Sequence, residues 1–350
     1  MLVLTEEKIT KLKTLMEAAS RVVVAGHTHA DGDALGSTAA LCLFLKEGMG
    51  KEVSCLFSET PPENLRFLLA EGIPYFFHDL QPLECIHARK KADLIVLLDP
   101  NTFDRTEALM QPLRESSARK VLIDHHLNPD VQSFDLVLST PDISSASELL
   151  YWILKELGLH VKPGMAQNSP AYKAVGEALL SGMTTDTNNF NNSVFPSTFQ
   201  MASELIAAGV DRDALLQKLY WCYRENRVRL MGYMQSKQLT ILPGGAAYMI
   251  LSRKIQEQFD LREGESEGLV NVPLSIEKVR LSVLVKEDGP FWRVSIRSKK
   301  GTSAQKLAQS CFHGGGNENA AGGKILPGQD FARSRGLRSY LEKILNDYLS

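Results

Sequence analysis

Along the first half of the chain the apolar positions repeatedly change period. Between residues 6 and 19, Ile9, Leu12, Met16 and Ala19 recur at helical spacing. A short β-branched run at 22–25 follows and stops at Gly26. Residues 34–47 are apolar nearly all round and end at Gly48, the pattern of a buried helix with a glycine stop. Strand-like runs come at 53–57, 94–98, 120–123 and 134–138, with a helical stretch near 63–71. Helical patterns then cover 147–157, 170–183 and 198–208. Strands separated by helices predict an α/β domain over 1–210, built on a mainly parallel sheet with helices on both faces.

The second half has a different rhythm. Strands at 238–242 and 247–251 flank Pro243-Gly244-Gly245, and strands at 279–285 and 292–296 flank Glu287-Asp288-Gly289-Pro290. Both pairs predict hairpins. A helix near 303–312, a glycine-rich segment and a terminal helix to about 348 complete a smaller α+β domain, 238–350. Residues 211–237, charged and poor in glycine, predict a helical connector.

Composition narrows the class. At 350 residues the chain is too long for one core, and 44% hydrophobic with 23% charged residues excludes a disordered or fibrous protein. No apolar run approaches a bilayer span, and the N-terminus lacks a basic stretch followed by an apolar one, so neither a membrane segment nor a signal peptide is expected. Cys42, Cys55, Cys85, Cys222 and Cys311 are odd in number and too scattered for a thiolate metal clip, which points to a reducing cytoplasm. A net charge of −2 gives no positive field for long duplex nucleic acid or an anionic membrane, but leaves room for a partner with few phosphates.

Three predicted strands end in metal-ligand residue types. The first runs into Gly26-His27-Thr28-His29-Ala30-Asp31-Gly32-Asp33, the strand at 94–98 into Asp99, and the strand at 120–123 into Asp124-His125-His126. In open α/β sheets ligands bind beyond the carboxyl ends of the strands, so these groups should converge. Asp186, after the end of a predicted helix, is a fourth candidate. A single aspartate after a strand is usually a turn former or cap. Several acidic and imidazole groups at one sheet edge without counterions would repel strongly, and metal ions resolve the conflict. Asp31, Asp33, Asp99 and Asp186 supply four negative charges, with nitrogens from His27 and His125. Two divalent cations balance them, and such a pair activates water and stabilises phosphoryl transfer. Mixed imidazole and carboxylate ligation suits Mn²⁺, with Zn²⁺, Co²⁺ or Mg²⁺ as substitutes.

In order and spacing, His27-x3-Asp31-Gly32-Asp33, the isolated Asp99, Asp124-His125-His126 and Thr185-Asp186 resemble the four motifs of the DHH phosphoesterase superfamily. Ser295-Ile296-Arg297-Ser298 and Phe312-His313-Gly314-Gly315-Gly316-Asn317-Glu318-Asn319-Ala320-Ala321-Gly322-Gly323 are similar to the DHH-associated domain, so the resemblance covers most of the chain. Within the superfamily the sequence is most similar to NrnA-type oligoribonucleases, which also dephosphorylate 3′-phosphoadenosine 5′-phosphate. The resemblance implies that His27, Asp31 and Asp99 hold one metal and that Asp33, Asp99, His125 and Asp186 hold the second. It implies that Asp124 orients a histidine and that His126 donates a hydrogen bond to the scissile phosphate. In the second domain it implies substrate contacts from Arg297, Ser298, Gly314, Gly315, Gly316 and Asn317, in a cleft between the domains. Four positions depart from the family: Ala30 for the usual Pro, Asn188 for Gly, His313 for the first glycine of the loop, and Asn317 for its histidine.

The expected function is hydrolysis of short oligoribonucleotides to nucleoside 5′-monophosphates and of 3′-phosphoadenosine 5′-phosphate to AMP. Alternatives are a cyclic or linear dinucleotide phosphodiesterase, a pyrophosphatase or exopolyphosphatase, or a non-catalytic nucleotide-binding regulator. A homodimer is left open.

Overall fold

The computed structural model describes residues 4–350 apart from 160–163, 165–168, 263 and 332–335. The chain divides into two compact units, Met1–Cys222 and Tyr223–Ser350.

The first unit is built on six parallel strands: β1 (Arg21–Ala25), β2 (Glu52–Phe57), β3 (Tyr75–Phe77), β4 (Leu94–Leu98), β5 (Arg119–Asp124) and β6 (Leu136–Ser139). Their order across the sheet is β3-β2-β1-β4-β5-β6. Parallel strands need both faces covered, and the two-residue period of β1 shows how this is done. Val22 and Val24 enter one apolar cluster, with α1 (Glu6–Ala18), α2 (Gly32–Leu43) and α5 (Ala146–Glu156). Val23 and Ala25 enter the other, with α3 (Pro82–Lys91) and α4 (Met110–Arg114). Two further helices, α6 (Pro170–Asp186) and α7 (Pro196–Ala208), join the first cluster, as does α8 (Arg212–Tyr220) through Leu215 and Leu219.

Every residue of α2 is buried, and small residues decide how it packs. A Cβ on Gly36 would lie 2.4 Å from Ala178 O of α6. A Cβ on Gly182 of α6 would lie 2.0 Å from Ser147 Oγ and 2.8 Å from Asp33 Oδ1. Real Cβ atoms do not approach so closely, so the glycines let the backbones of α2 and α6 touch. Asp33 and Asp186 are brought near one another by this contact.

The second unit has a mixed sheet in the order β11-β12-β10-β9-β8-β7. Its strands are β7 (Thr240–Ile241), β8 (Ala246–Leu251), β9 (Leu281–Asp288), β10 (Phe291–Ser298), β11 (Gly315–Gly316) and β12 (Ala320–Ile325). β8 and β9 pair in parallel and the other neighbours antiparallel. The β9–β10 hairpin turns at Gly289, whose φ of 62° is open to glycine at no steric cost. One face packs on α11 (Ala304–Cys311) and α12 (Leu337–Leu349); the other packs on α9 (Glu225–Tyr233) and α10 (Arg253–Gln258).

The structure differs from the sequence reading in several places. Residues 211–237, expected as one connector, are divided: Leu215 and Leu219 pack into the first unit, Leu230 and Met234 into the second. The stretch near 63–71 is a tight 3₁₀ segment, Glu63–Leu68, entered through Pro61 and Pro62. β3 and α3 carry too weak a period to be seen in sequence, since α3 buries only Cys85. Among the described residues no helix is long and apolar enough to cross a membrane.

Candidate metal centre

In the first unit the order of strands reverses between β1 and β4, and that switch point is where the ligand-type residues gather. His27, just beyond β1, is buried. Its Nδ1 donates to Thr28 O at 2.8 Å, which leaves Nε2 facing Asp99 Oδ2 at 3.2 Å and Asp31 Oδ1 at 3.8 Å. Asp31 is the N-cap of α2, and its Oδ1 accepts from the amides of Asp33 and Ala34. Asp33, two residues on, accepts from Ala146 N at 2.6 Å and Ser147 N at 2.9 Å, the free amides at the start of α5. A helix N-terminus favours negative charge, so the fold itself stabilises this carboxylate.

Asp99 follows β4 with a left-handed φ of 78°. Its two oxygens face different imidazoles, Oδ2 toward His27 and Oδ1 at 3.3 Å from His125 Nε2. Oδ1 is buried and off the line of any hydrogen bond. His125 Nε2 also lies 3.5 Å from Asp186 Oδ2 and 4.0 Å from Asp33 Oδ2. Donor atoms therefore fall into two triads, His27, Asp31, Asp99 and Asp33, His125, Asp186, within each of which they lie within 4.8 Å of one another. Asp99 also groups with His125 and His126.

Electrostatics shows the strain of this gathering. Burial, then the charges of Asp99 and Asp186, push Asp33 well above the usual carboxylate range. Burial also raises Asp186, to about 6, against the pull of His125. Burial opposes the charged form of Asp99, yet His125 and His27 hold it well below its usual value. Burial likewise opposes protonation of His125, but Asp186, Asp99 and Asp33 outweigh it and raise His125 to about 10. Protons on histidines are here the compensation for carboxylates packed too closely. Divalent cations would do the same with more charge per site, and Asp99 Oδ1, buried without a hydrogen bond, would be available to one. The donor set, carboxylate oxygens with imidazole nitrogens, fits Mn²⁺ or a similar transition ion.

The sequence reading left His126 free to donate to a phosphate. In the structure both ring nitrogens are engaged: Nδ1 with Asp124 Oδ1 at 2.8 Å, Nε2 with Arg105 Nη1 at 3.0 Å. Arg105 was not foreseen; it stands six residues past Asp99, beyond the end of the apolar run that marks β4.

The candidates in the second unit also come together. Arg297 and Ser298 end β10, and Arg297 is in register with Ala320 of β12. Ser298 is buried, donating to Thr302 O at 2.6 Å and accepting from Asn319 Nδ2 at 3.0 Å. Gly315 and Gly316 form β11, and the turn at Asn317 closes with Asn317 N donating to Ala320 O at 2.7 Å. A Cβ on Gly314 would lie 1.9 Å from Gly322 O. At Gly314 and Gly316 the close approach of two backbones is by itself a packing reason for glycine, beside the substrate contacts that the resemblance implies.

A model of the DHH family, N-terminal domain, matches residues 21–183, and a DHHA1 domain model matches residues 245–333. The fold is similar to that of an exopolyphosphatase-related protein from Bacteroides fragilis, 31% identical, with a TM-score of 0.88 over 99% of this chain and 97% of that one. A bifunctional oligoribonuclease and PAP phosphatase NrnA from Thermus thermophilus is 27% identical over 93% of this chain and 90% of its own length. A probable manganese-dependent inorganic pyrophosphatase from Streptococcus mutans is 27% identical over 55% of this chain and 57% of its own.

Proposed function

The chain belongs to the DHH family of phosphoesterases and carries a DHHA1 domain, and from that premise we propose that it hydrolyses short oligoribonucleotides and 3′-phosphoadenosine 5′-phosphate. The observation that carries the proposal is the pair of donor triads at the switch point of the sheet, with Asp99 of the first lying 3.3 Å from His125 of the second. In this reading His27, Asp31 and Asp99 hold one Mn²⁺, and Asp33, Asp99, His125 and Asp186 hold the other. Two such ions, when bound, acidify water and neutralise phosphate oxygens. The chain's own contribution is to fix the ligands: Asp31 by two amides of α2, Asp33 by two amides of α5.

Arg297, Ser298 and the Gly314–Asn317 hairpin would bind the nucleotide. Cationic side chains around them are partly committed elsewhere, Arg293 to Asp288 at 2.7 Å and the Lys299 ammonium to Ile276 O and Glu277 O. A polyphosphate needs a denser set of uncommitted cations, so a small nucleotide with one or two phosphates fits better. Buried free thiols at Cys42, Cys55 and Cys85 fit a reducing, cytoplasmic setting.

The test is a panel assay with Mn²⁺ against ribodinucleotides, 3′-phosphoadenosine 5′-phosphate, cyclic dinucleotides, pyrophosphate and polyphosphate. Turnover of the first two, abolished by EDTA, is the expected result. Turnover confined to pyrophosphate or polyphosphate would replace the substrate assignment, and none at all would return the chain to a nucleotide-binding role.

A further inference from the structure

Arg105 lies beside the donor triads, and none of the proposed ligand roles uses it. Its backbone is held from two sides. Arg105 O accepts from Thr28 N at 2.8 Å, tying it to the loop after β1. The next carbonyl, of Thr106, accepts from Ser58 Oγ beyond β2, and Thr106 Oγ1 donates to Phe103 O at 2.7 Å. Two residues on, Glu107 sits at φ 38° and ψ −103°, a strained conformation that persists only where its surroundings determine it.

The side chain is oriented with equal care. Nη1 donates to Asp99 O at 3.4 Å and to His126 Nε2 at 3.0 Å. A guanidinium has no lone pair to offer, so His126 Nε2 is the acceptor and the ring proton is on Nδ1, donated to buried Asp124. The order Asp124, His126, Arg105 is thus a directed chain of hydrogen bonds that ends on a cation. The guanidinium is half-buried, is in no ion pair among the described residues, and its Nε and Nη2 donate to none of them. A partly desolvated Arg with a free edge is suited to a planar, two-oxygen anion.

We propose that Arg105 is a substrate-binding residue that donates from Nε and Nη2 to the non-bridging oxygens of the scissile phosphate, and that His126 is the positioning residue that fixes it. This rests on the phosphoesterase reading and changes the part His126 has in it, from phosphate donor to acceptor for the guanidinium.

The experiment compares wild type, Arg105→Ala and Arg105→Lys as full chains. It measures Mn²⁺ affinity, binding of inorganic phosphate to the Mn²⁺-loaded protein by calorimetry, and kcat/KM on 3′-phosphoadenosine 5′-phosphate and bis(p-nitrophenyl) phosphate. For Arg105→Ala, Mn²⁺ affinity should stay within about threefold, while kcat/KM falls roughly 10²- to 10³-fold on both esters and phosphate affinity falls at least about tenfold. Lys, which keeps the charge but not the fork, should recover part of each loss. Mn²⁺-loaded wild type that takes up no phosphate, or Arg105→Ala that takes it up as tightly, overturns the assignment. Equal losses of Mn²⁺ and phosphate affinity would also overturn it, by reducing Arg105 to a brace for the ligand loops. If Arg105→Ala does not fold, the Lys variant decides on the same two affinities. A wild type that hydrolyses neither ester defeats the phosphoesterase reading, and the phosphate titration still settles Arg105.

Discussion

At the scale of single residues, substitutions at Asp99 and the two neighbouring histidines test metal binding and turnover separately. Each Asp99 oxygen faces a different imidazole, so Asp99→Ala removes a partner from both triads at once. We expect its activity to fall by several orders of magnitude and not to return at saturating Mn²⁺, as read in a metal titration of rate. His125 faces three carboxylates and His126 faces Asp124 and Arg105. His125→Ala should therefore raise the Mn²⁺ needed for half-maximal rate by at least about tenfold, with partial rescue by excess metal. His126→Ala should lower kcat about 10²- to 10³-fold with Mn²⁺ affinity nearly unchanged; the reverse pattern would show that the two histidines exchange these parts. His27, Asp31, Asp33, Asp99, His125 and Asp186 could be found in sequence because ligand-type residues at the ends of apolar runs are conspicuous. Arg105 could not, because its meaning lies in a bond to a ring twenty-one positions away that only the adjacency of β4 and β5 creates.

At the scale of elements, the contact between α2 and α6 sets the spacing of the centre. Gly182→Ala would place a methyl group 2.0 Å from Ser147 Oγ and 2.8 Å from Asp33 Oδ1, both in buried surroundings. Overpacking of this kind costs about 1–3 kcal/mol. We expect a lower melting temperature together with weaker Mn²⁺ binding, since Asp33 must move away from Asp186; a drop in melting temperature with Mn²⁺ affinity intact would show that the carboxylates are positioned independently of this contact. The sequence showed α2 as a buried helix through its run of apolar and small residues. It did not show the partner, because a glycine in a helix reads as a weak position until the backbone it touches is known. The Gly314–Gly316 run is ambiguous for the same reason: pairing of β11 with β12, not local preference, makes it a strand.

At the scale of the whole molecule, two units have separate apolar cores, and among the described residues the candidate metal ligands belong to the first. Ligands that bind only the native state stabilise the part that holds them. Calorimetry should show two transitions, with Mn²⁺ raising one and EDTA lowering the same one; a single transition that moves as a whole would mean the cores unfold together. Within the first unit, the candidate ligands leave β1, β4 and β5, which are interior strands, while β3 and β6 form the edges. Interior strands of a sheet open last, at free energies near that of global unfolding. In amide exchange against deuterated water, Val24, Val96 and Leu122 should then be among the slowest sites of the chain. The frame beneath the centre would stay closed through the fluctuations that release its edges, so a cation once bound escapes through motions of the loops alone.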